Sequence, residues 1–375
     1  MIDLSFIQNW TQSKSTIVSR APTRIDLAGG TLDIWPIHLL LGEPSTLNLG
    51  IDLIAETQVR LTDANEAGQQ IRLYSKDQNK DLCFGWSELA QKAFPPTVEL
   101  HGKLLRHFAQ SHPAVVDFLE QSGKCLEIST QAKSPAGAGL GGSSTLSISI
   151  LGALYRLFRG DAPLTAEVRE ELITIARDIE TTVIRVPAGL QDYYGAAFGG
   201  LQKLTWRASH HVREALPSDI LHSLMGRVLL FYSGQSRNSG INNWVLFKAF
   251  VDGDATVQER FQGIAKATQN LHAALLRRDW RGAGRAIAQE WSIRKAFAPG
   301  ISTPEIDQAF TQAFELGASA GKICGAGGGG CFFLWTDEED PQLHQKIITA
   351  LEKLGIRHLP FAPIEKGLDV TLQLQ

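Results

Sequence analysis

Apolar and polar residues alternate with period two through STIVSRAPTRIDLAGG (15–30) and STLNLGIDLIAETQVRL (45–61), and again more briefly through QQIRLYS (69–75) and CLEISTQAK (125–133). These runs predict strands. The period then changes. Leu146, Ile150, Ala153, Leu154, Leu157 and Phe158 recur at helical spacing, and a second helix is predicted from Thr165, its N-cap, to about Glu180. GRVLLFYSG (226–234) predicts a short buried strand. VQERFQGIAKATQNLHAALLRRDW (257–280) predicts one amphipathic helix and TPEIDQAFTQAFELGAS (303–319) another. KICGAGGGGCFFLW (322–335) predicts a glycine run feeding a strand, followed by a helix over about 341–354 and a last alternating segment, DVTLQLQ (369–375). Strands mixed with helices, without regular βαβ alternation, predict an α+β fold. A chain of 375 residues exceeds the usual single core. Two subdomains are therefore expected, 1–205 and 206–375, dividing after GAAFGGLQKLTW.

Composition narrows the classes. Hydrophobic content of 43% and charged content of 20% are those of a globular protein. A net charge of −3 lacks the basic field that nucleic acid or an anionic membrane requires, so neither partner is expected. Cys83, Cys125, Cys324 and Cys331 include no Cys-x-x-Cys pair, and the ten histidines show no metal spacing. With no secretory signal in MIDLSFIQNWTQSKS and no apolar run near the ~18 residues that span a bilayer, a cytoplasmic location is expected. The tryptophans, Trp35 and Trp291 among them, read as core or pocket wall.

The stretch SPAGAGLGGSS (134–144) carries the first chemical signal. Glycines ahead of a buried helix let backbone approach a ligand, and the helix start offers unpaired N–H groups and partial positive charge. Together they form an anion cradle, usually for phosphate. Ser143 and Ser144 stand ready to cap the helix or to offer hydroxyls to a phosphate or Mg²⁺. The pattern G-x-x-x-x-G-K-[ST] is absent. Gly137, Gly139 and Gly142 match G-x-G-x-x-G by letter, with Asp161 downstream. Asp161, however, sits in a turn, not at the end of a second strand, so an NAD-dependent oxidoreductase is only a rival reading.

The chain resembles the GHMP small-molecule kinases. PAGAGLGGSS (135–144) fits their phosphate loop, RAPTRIDLAGGTLD (20–33) their first motif and KICGAGGGGCFFLW their third. Within the family it is similar to bacterial sugar kinases typified by D-glycero-D-manno-heptose 7-phosphate kinase, through GLQDYYGAAFGG (189–200), YSGQSRNS (232–239) and WSIRKAFAPGISTPEID (291–307). One departure stands out: those kinases read Gly-Gly-Gly-Thr-Asp where this chain has Gly29-Gly30-Thr31-Leu32-Asp33.

The resemblance implies a GHMP kinase fold of two subdomains with the active site in the cleft between them. ATP and Mg²⁺ would be the cofactors. Pro135, Gly137, Ala138, Gly139, Leu140, Gly141, Gly142, Ser143 and Ser144, within the loop 135–145, would hold the nucleotide, with Ser144 and Glu180 as magnesium ligands. Asp192 would orient or deprotonate the acceptor hydroxyl and Arg24 would be the matched cation. Arg24 and Asp26 alternate on one strand face, so both are expected to point at one site. Gly30, Thr31, Asp33, Arg237, Gly327 and Gly328 would line the substrate pocket, with Ser239 beside Arg237. The implied activity is ATP-dependent phosphorylation of a sugar or sugar phosphate at its anomeric hydroxyl, by a monomer or homodimer. A mevalonate or phosphomevalonate kinase is the rival within the family, and a non-catalytic nucleotide- or sugar-binding sensor the rival outside it.

Overall fold

A computed structural model describes residues 4–64, 68–235 and 241–374, and their side chains except those of 241–244. The alternating runs become strands: β1 (Thr16–Ala28), β2 (Ser45–Asp63), β3 (Ile71–Ser75), β4 (Lys80–Phe84), β5 (Lys124–Ala132), β6 (Leu201–Trp206), β7 (His211–Ala215), β8 (Val228–Tyr232), β9 (Ala320–Ile323), β10 (Cys331–Trp335), β11 (Arg357–His358) and β12 (Asp369–Gln373). Among the described residues the larger sheet has the order β12-β1-β2-β5-β3-β4, with β6 beside β2 and β7 beside β6. The smaller sheet runs β11-β8-β10-β9. β7 and β12 lie beyond residue 205, so the larger sheet draws on chain from both sides of that position.

The register of β1 positions the site. Pro22 sits mid-strand, where its missing N–H would break a regular ladder. The pairing with β2 slips between Pro22 and Thr23, and again between Asp26 and Ala28. Such slips re-aim the following side chains. β12 covers the outer edge of β1 only from Thr16 to Arg20, which leaves the edge at Arg24 free for other partners.

The helix Gly142–Arg159 packs on β1 and β2. Its close approach depends on small residues. The Ser149 hydroxyl donates to Ser19 O (3.1 Å) and pairs with Thr57 Oγ1 (2.7 Å). A Cβ on Gly152 would meet Ser19 Oγ and Leu368 Cδ1 at 2.6 Å. A second core lies between the sheets: Ile25, Leu27, Leu47 and Leu49 pack with Leu140, Leu230, Phe333 and Trp335. A third, including Leu32, Ile34, Ile37, Phe231, Phe332 and Ile306, fills the far side of the smaller sheet.

Thr165 caps the helix Ala166–Ile184, as its position predicts, by accepting from Val168 N (3.3 Å). The helix expected over 257–280 runs Ala255–Leu276, stopping four residues early, and a further helix, Trp280–Lys295, follows it. The break lies at Arg277–Asp279, where the Asp279 carboxylate accepts from Gly282 N (2.8 Å) and starts a new helix. Asp at a helix start is an N-cap signal, and here it marks where the second helix begins. Among the described residues no helix is long and apolar enough to cross a membrane.

Removing that cap should loosen the second helix. Asp279→Ala is expected to destabilise the protein by about 1 kcal/mol, as N-cap losses do. Urea unfolding checks this, and an unchanged midpoint would show that the helix start is fixed by packing alone.

Candidate active site

The phosphate loop is fixed by backbone from both flanking motifs. The Arg24 N–H, beyond the part of β1 that β12 covers, donates to Leu140 O (3.3 Å). The Cys331 N–H, at the start of β10, donates to Ala138 O (2.7 Å). Ala138 N turns back to Pro135 O (3.2 Å). Gly137, Gly139 and Gly141 have φ of 68°, 82° and 74°, a region that favours glycine. Gly141 is the N-cap of the helix beginning at Gly142. The first N–H groups of that helix, from Gly142, Ser143 and Ser144, therefore face the loop rather than a preceding turn. Gly330 brings the third motif against the loop; a Cβ there would lie 2.8 Å from Ala138 O. Gly327 and Gly328 bend the same run back to Ile301, whose carbonyl accepts from Gly328 N (2.8 Å).

Arg24 and Asp192 meet beside this loop. Arg24 Nε and Nη2 both donate to Asp192 Oδ1, at 2.9 and 2.5 Å, and Nη1 donates to Gly139 O at 2.9 Å. Burial opposes the charge on Arg24, but Asp192 and then Asp26 outweigh it and raise the pKa above its ordinary value. Asp192 lies in the first turn of the helix Gln191–Phe198. Gly141 makes room for it, since a Cβ on Gly141 would sit 3.0 Å from the Asp192 Cγ.

Glu180 approaches from the end of the helix Ala166–Ile184. Its Oε2 accepts from Tyr193 Oη (2.8 Å) and Ser147 Oγ (3.2 Å). Burial raises its pKa, opposed by the nearby hydroxyls of Ser143, Tyr193 and Ser144 and aided by the charge of Asp192. One buried carboxylate beside a serine hydroxyl is a donor set that fits Mg²⁺, which takes one or two carboxylates and completes its shell with phosphate and water. Among the described residues no cluster of three His, Cys, Asp or Glu side chains forms an all-protein metal cage.

The third part of the site is the turn Gly29–Asp33. Asp33 is buried, and its Oδ2 accepts from the backbone N–H of Gln191, the neighbour of Asp192, at 3.0 Å. Burial pushes its pKa up to about 7, opposed by that hydrogen bond and aided by the charge of Asp192. Thr31 has φ of 78°. A β-branched residue in the left-handed region is an outlier that costs on the order of 1–3 kcal/mol. A Cβ on Gly30 would fall 2.2 Å from Asp26 Oδ2, so the turn lies directly on Asp26.

Asp26 does not join Arg24 at Asp192. Its side chain points into a buried ion network, because Lys322 on β9 lies across from it. Lys322 Nζ donates to Asp26 Oδ2 (2.9 Å) and lies 3.3 Å from Glu290 Oε1. Arg294 Nε and Nη2 donate to the same Glu290 oxygen at 3.0 and 2.5 Å. The desolvation of Asp26 is outweighed by Lys322, Arg294 and Arg24, and its pKa stays below the usual carboxylate range. Arg294 then reaches the turn: Nη2 donates to Gly30 O (2.8 Å) and Nη1 to Thr31 Oγ1 (3.2 Å).

The sequence expectations omit Lys322, Glu290 and Arg294. A signal for two of them exists. Glu290 and Arg294 stand at helical spacing from Ala283 and Ile287, on the buried face of Trp280–Lys295. Charge at core positions marks a network. Arg237 and Ser239 lie outside the described residues. Trp291 is buried, but Trp35 is 64% exposed and is not a core residue.

Two protein-family models match the chain: the GHMP kinases N terminal domain over residues 106–200 and the GHMP kinases C terminal over residues 271–355. D-glycero-alpha-D-manno-heptose 7-phosphate kinase of Campylobacter jejuni is 26% identical over 341 residues, 90% of this chain and 94% of that protein. A mevalonate kinase of Archaeoglobus fulgidus is 27% identical over 256 residues, 66% of this chain and 80% of that one. Among solved structures, a D-glycero-D-manno-heptose 1-phosphate kinase from Bacteroides thetaiotaomicron superposes with a TM-score of 0.71 at 23% identity, covering 95% of this chain and 98% of its own. The N-terminal match ends at Gly200, just past the helix that carries Asp192, and the C-terminal match spans Glu290, Arg294, Lys322 and the glycine run against the phosphate loop; the chain belongs to the GHMP kinase family.

Proposed function

We propose that this protein transfers the γ-phosphoryl group of ATP to the anomeric hydroxyl of a sugar or sugar phosphate, with Mg²⁺ as cofactor. The observation that carries this reading is the Arg24–Asp192 pair set against the first turn of the phosphate-loop helix, with Asp33 hydrogen-bonded to the residue beside Asp192. Phosphoryl transfer asks for positioning and charge stabilisation more than for covalent chemistry. The loop 135–145 would hold the triphosphate by backbone N–H groups. Ser144 and Glu180 would hold Mg²⁺, which neutralises phosphate charge when bound. Arg24 fixes Asp192 Oδ1 and leaves Oδ2 to accept the hydrogen of the acceptor hydroxyl. As the acceptor oxygen bonds to the γ-phosphorus, the bond from that phosphorus to the β-phosphate oxygen breaks and ADP leaves.

Asp33 favours a polyol. A carboxylate substrate such as mevalonate would meet Asp33 and Asp192 together. The nearby described cations are already engaged: Arg24 by Asp192, Lys322 by Asp26 and Arg294 by Glu290. A phosphate at the far end of the sugar would need another cation, and Arg237 is the proposed anchor. The heptose 7-phosphate kinase relative supports the same substrate class.

ADP release measured over hexoses, heptoses, their terminal phosphates and mevalonate tests the reading. A heptose or its 7-phosphate is expected to give the highest kcat/KM; mevalonate in first place would sink the sugar assignment. With the best acceptor, Asp192→Asn should lower kcat by ~10²–10⁴-fold with KM for ATP little changed. Retention of more than half the wild-type turnover would remove Asp192 from the chemistry.

Asp33 predicts a pH dependence. Its folded pKa of about 7 means the carboxyl is largely protonated below that pH and ionised above it. The ionised form is the stronger acceptor for a sugar hydroxyl. KM for the acceptor should therefore fall as pH rises through about 7 in the wild type, and Asp33→Asn should flatten that limb. A wild-type KM with no pH dependence there, or a limb that survives in Asp33→Asn, would exclude Asp33 as its source.

A further inference from the structure

We infer that Arg294 is a positioning residue for the acceptor pocket: its guanidinium clamps the Gly30–Thr31 turn in a left-handed conformation and thereby keeps Asp33 beside Asp192. The kinetic part of this inference rests on the kinase reading above.

Thr31 is where kinases of the resembled type read glycine, and it keeps a φ of 78°. Glycine takes that conformation freely; a β-branched residue holds it only if its surroundings impose it. The surroundings here are the two arms of one side chain. Arg294 donates from Nη2 to Gly30 O at 2.8 Å and from Nη1 to Thr31 Oγ1 at 3.2 Å. Its own position is set from behind by Glu290 Oε1, which Lys322 Nζ also approaches at 3.3 Å. Only a planar fork can span Glu290, Gly30 and Thr31 at once; an ammonium group is a point charge without that reach.

The turn transmits its geometry to the site. Leu32 N donates to Gly29 O (3.1 Å) and Ile34 N to Thr31 O (3.3 Å), so the residues on both sides of Asp33 are bonded back across Thr31. Leu32 and Ile34 are buried in the third core, and Asp33 is held by Gln191 N at 3.0 Å. Relaxation of Thr31 to negative φ would swing Asp33 away from that N–H. Arg294 itself is 3% exposed, and its hydrogen bonds toward the acceptor pocket go to the turn. In this chain a strained threonine, held by a buried arginine, stands where the resembled kinases read glycine.

The test is a double-mutant cycle of Arg294→Lys, which keeps the charge beside Glu290, and Thr31→Gly, which removes the need for a clamp. In the Thr31 protein, Arg294→Lys is expected to raise KM for the acceptor about tenfold, the loss of a charge-assisted hydrogen bond, with KM for ATP unchanged. In the Thr31→Gly background the same Arg294→Lys step should change acceptor KM by less than about threefold. An unchanged acceptor KM in Arg294→Lys, an equal rise in KM for ATP, or additive effects in the cycle would overturn the proposal. Thermal unfolding of the four proteins supplies a readout that needs no substrate: Thr31→Gly should raise the Tm of Arg294→Lys by about 2 °C or more beyond its effect on the wild type. If the wild-type protein turns over no acceptor, the kinase reading fails while the thermal cycle still decides the clamp, with additivity counting against it.

Discussion

Asp26, Lys322, Glu290 and Arg294 are buried between the two sheets, and none can be removed from the set without leaving an uncompensated charge. Taking an ion out of water costs several kcal/mol, returned only when partners are close and well aligned. The four come from β1, β9 and the helix Trp280–Lys295, so the sheets and the helix must all be in place before any one of these charges is satisfied. The turn Gly29–Asp33 rests on this network. Its geometry is therefore a property of the assembled molecule rather than of the local sequence.

The phosphate loop follows a different logic. Its fixed contacts are largely backbone to backbone, from Arg24 N and Cys331 N, with one guanidinium bond to Gly139 O. Side chains are kept out by glycines where another backbone or the Asp192 carboxylate must approach closely. Charge is concentrated elsewhere, at Arg24–Asp192 and Glu180, which flank the start of the helix. Rigid backbone shapes the cradle while ionised side chains supply what changes during reaction, an arrangement suited to preorganised electrostatics.

Much of this was legible in the sequence. The strand runs, the buried helix after the glycines and the motif residues Arg24, Glu180 and Asp192 could be read because each is a local pattern or a close motif match. The structure pairs Arg24 with Asp192 beside Gly141, and Tyr193, the neighbour of Asp192, bonds to Glu180. What could not be read depends on contacts distant in sequence. Asp26 alternates with Arg24 on β1, yet its partner, Lys322, lies on β9. The helix end at Leu276 and the new start at Trp280 turn on the Asp279 cap, which apolar spacing does not reveal. Thr31 reads as a simple substitution for glycine; its positive φ and its bond to Arg294 emerge only in three dimensions.

The pairing of β12 with β1 has a consequence for how the molecule comes into being. Thr16–Arg20 emerges from the ribosome more than three hundred residues before its partner Asp369–Gln373. Throughout that interval this edge of β1 is an open template for other strands, the kind of edge that invites mispairing. Contacts of such long sequence separation also form slowly. Translation speed and chaperone cover during this window therefore bear on yield, because the edge stays open until a strand made more than three hundred residues later can close it.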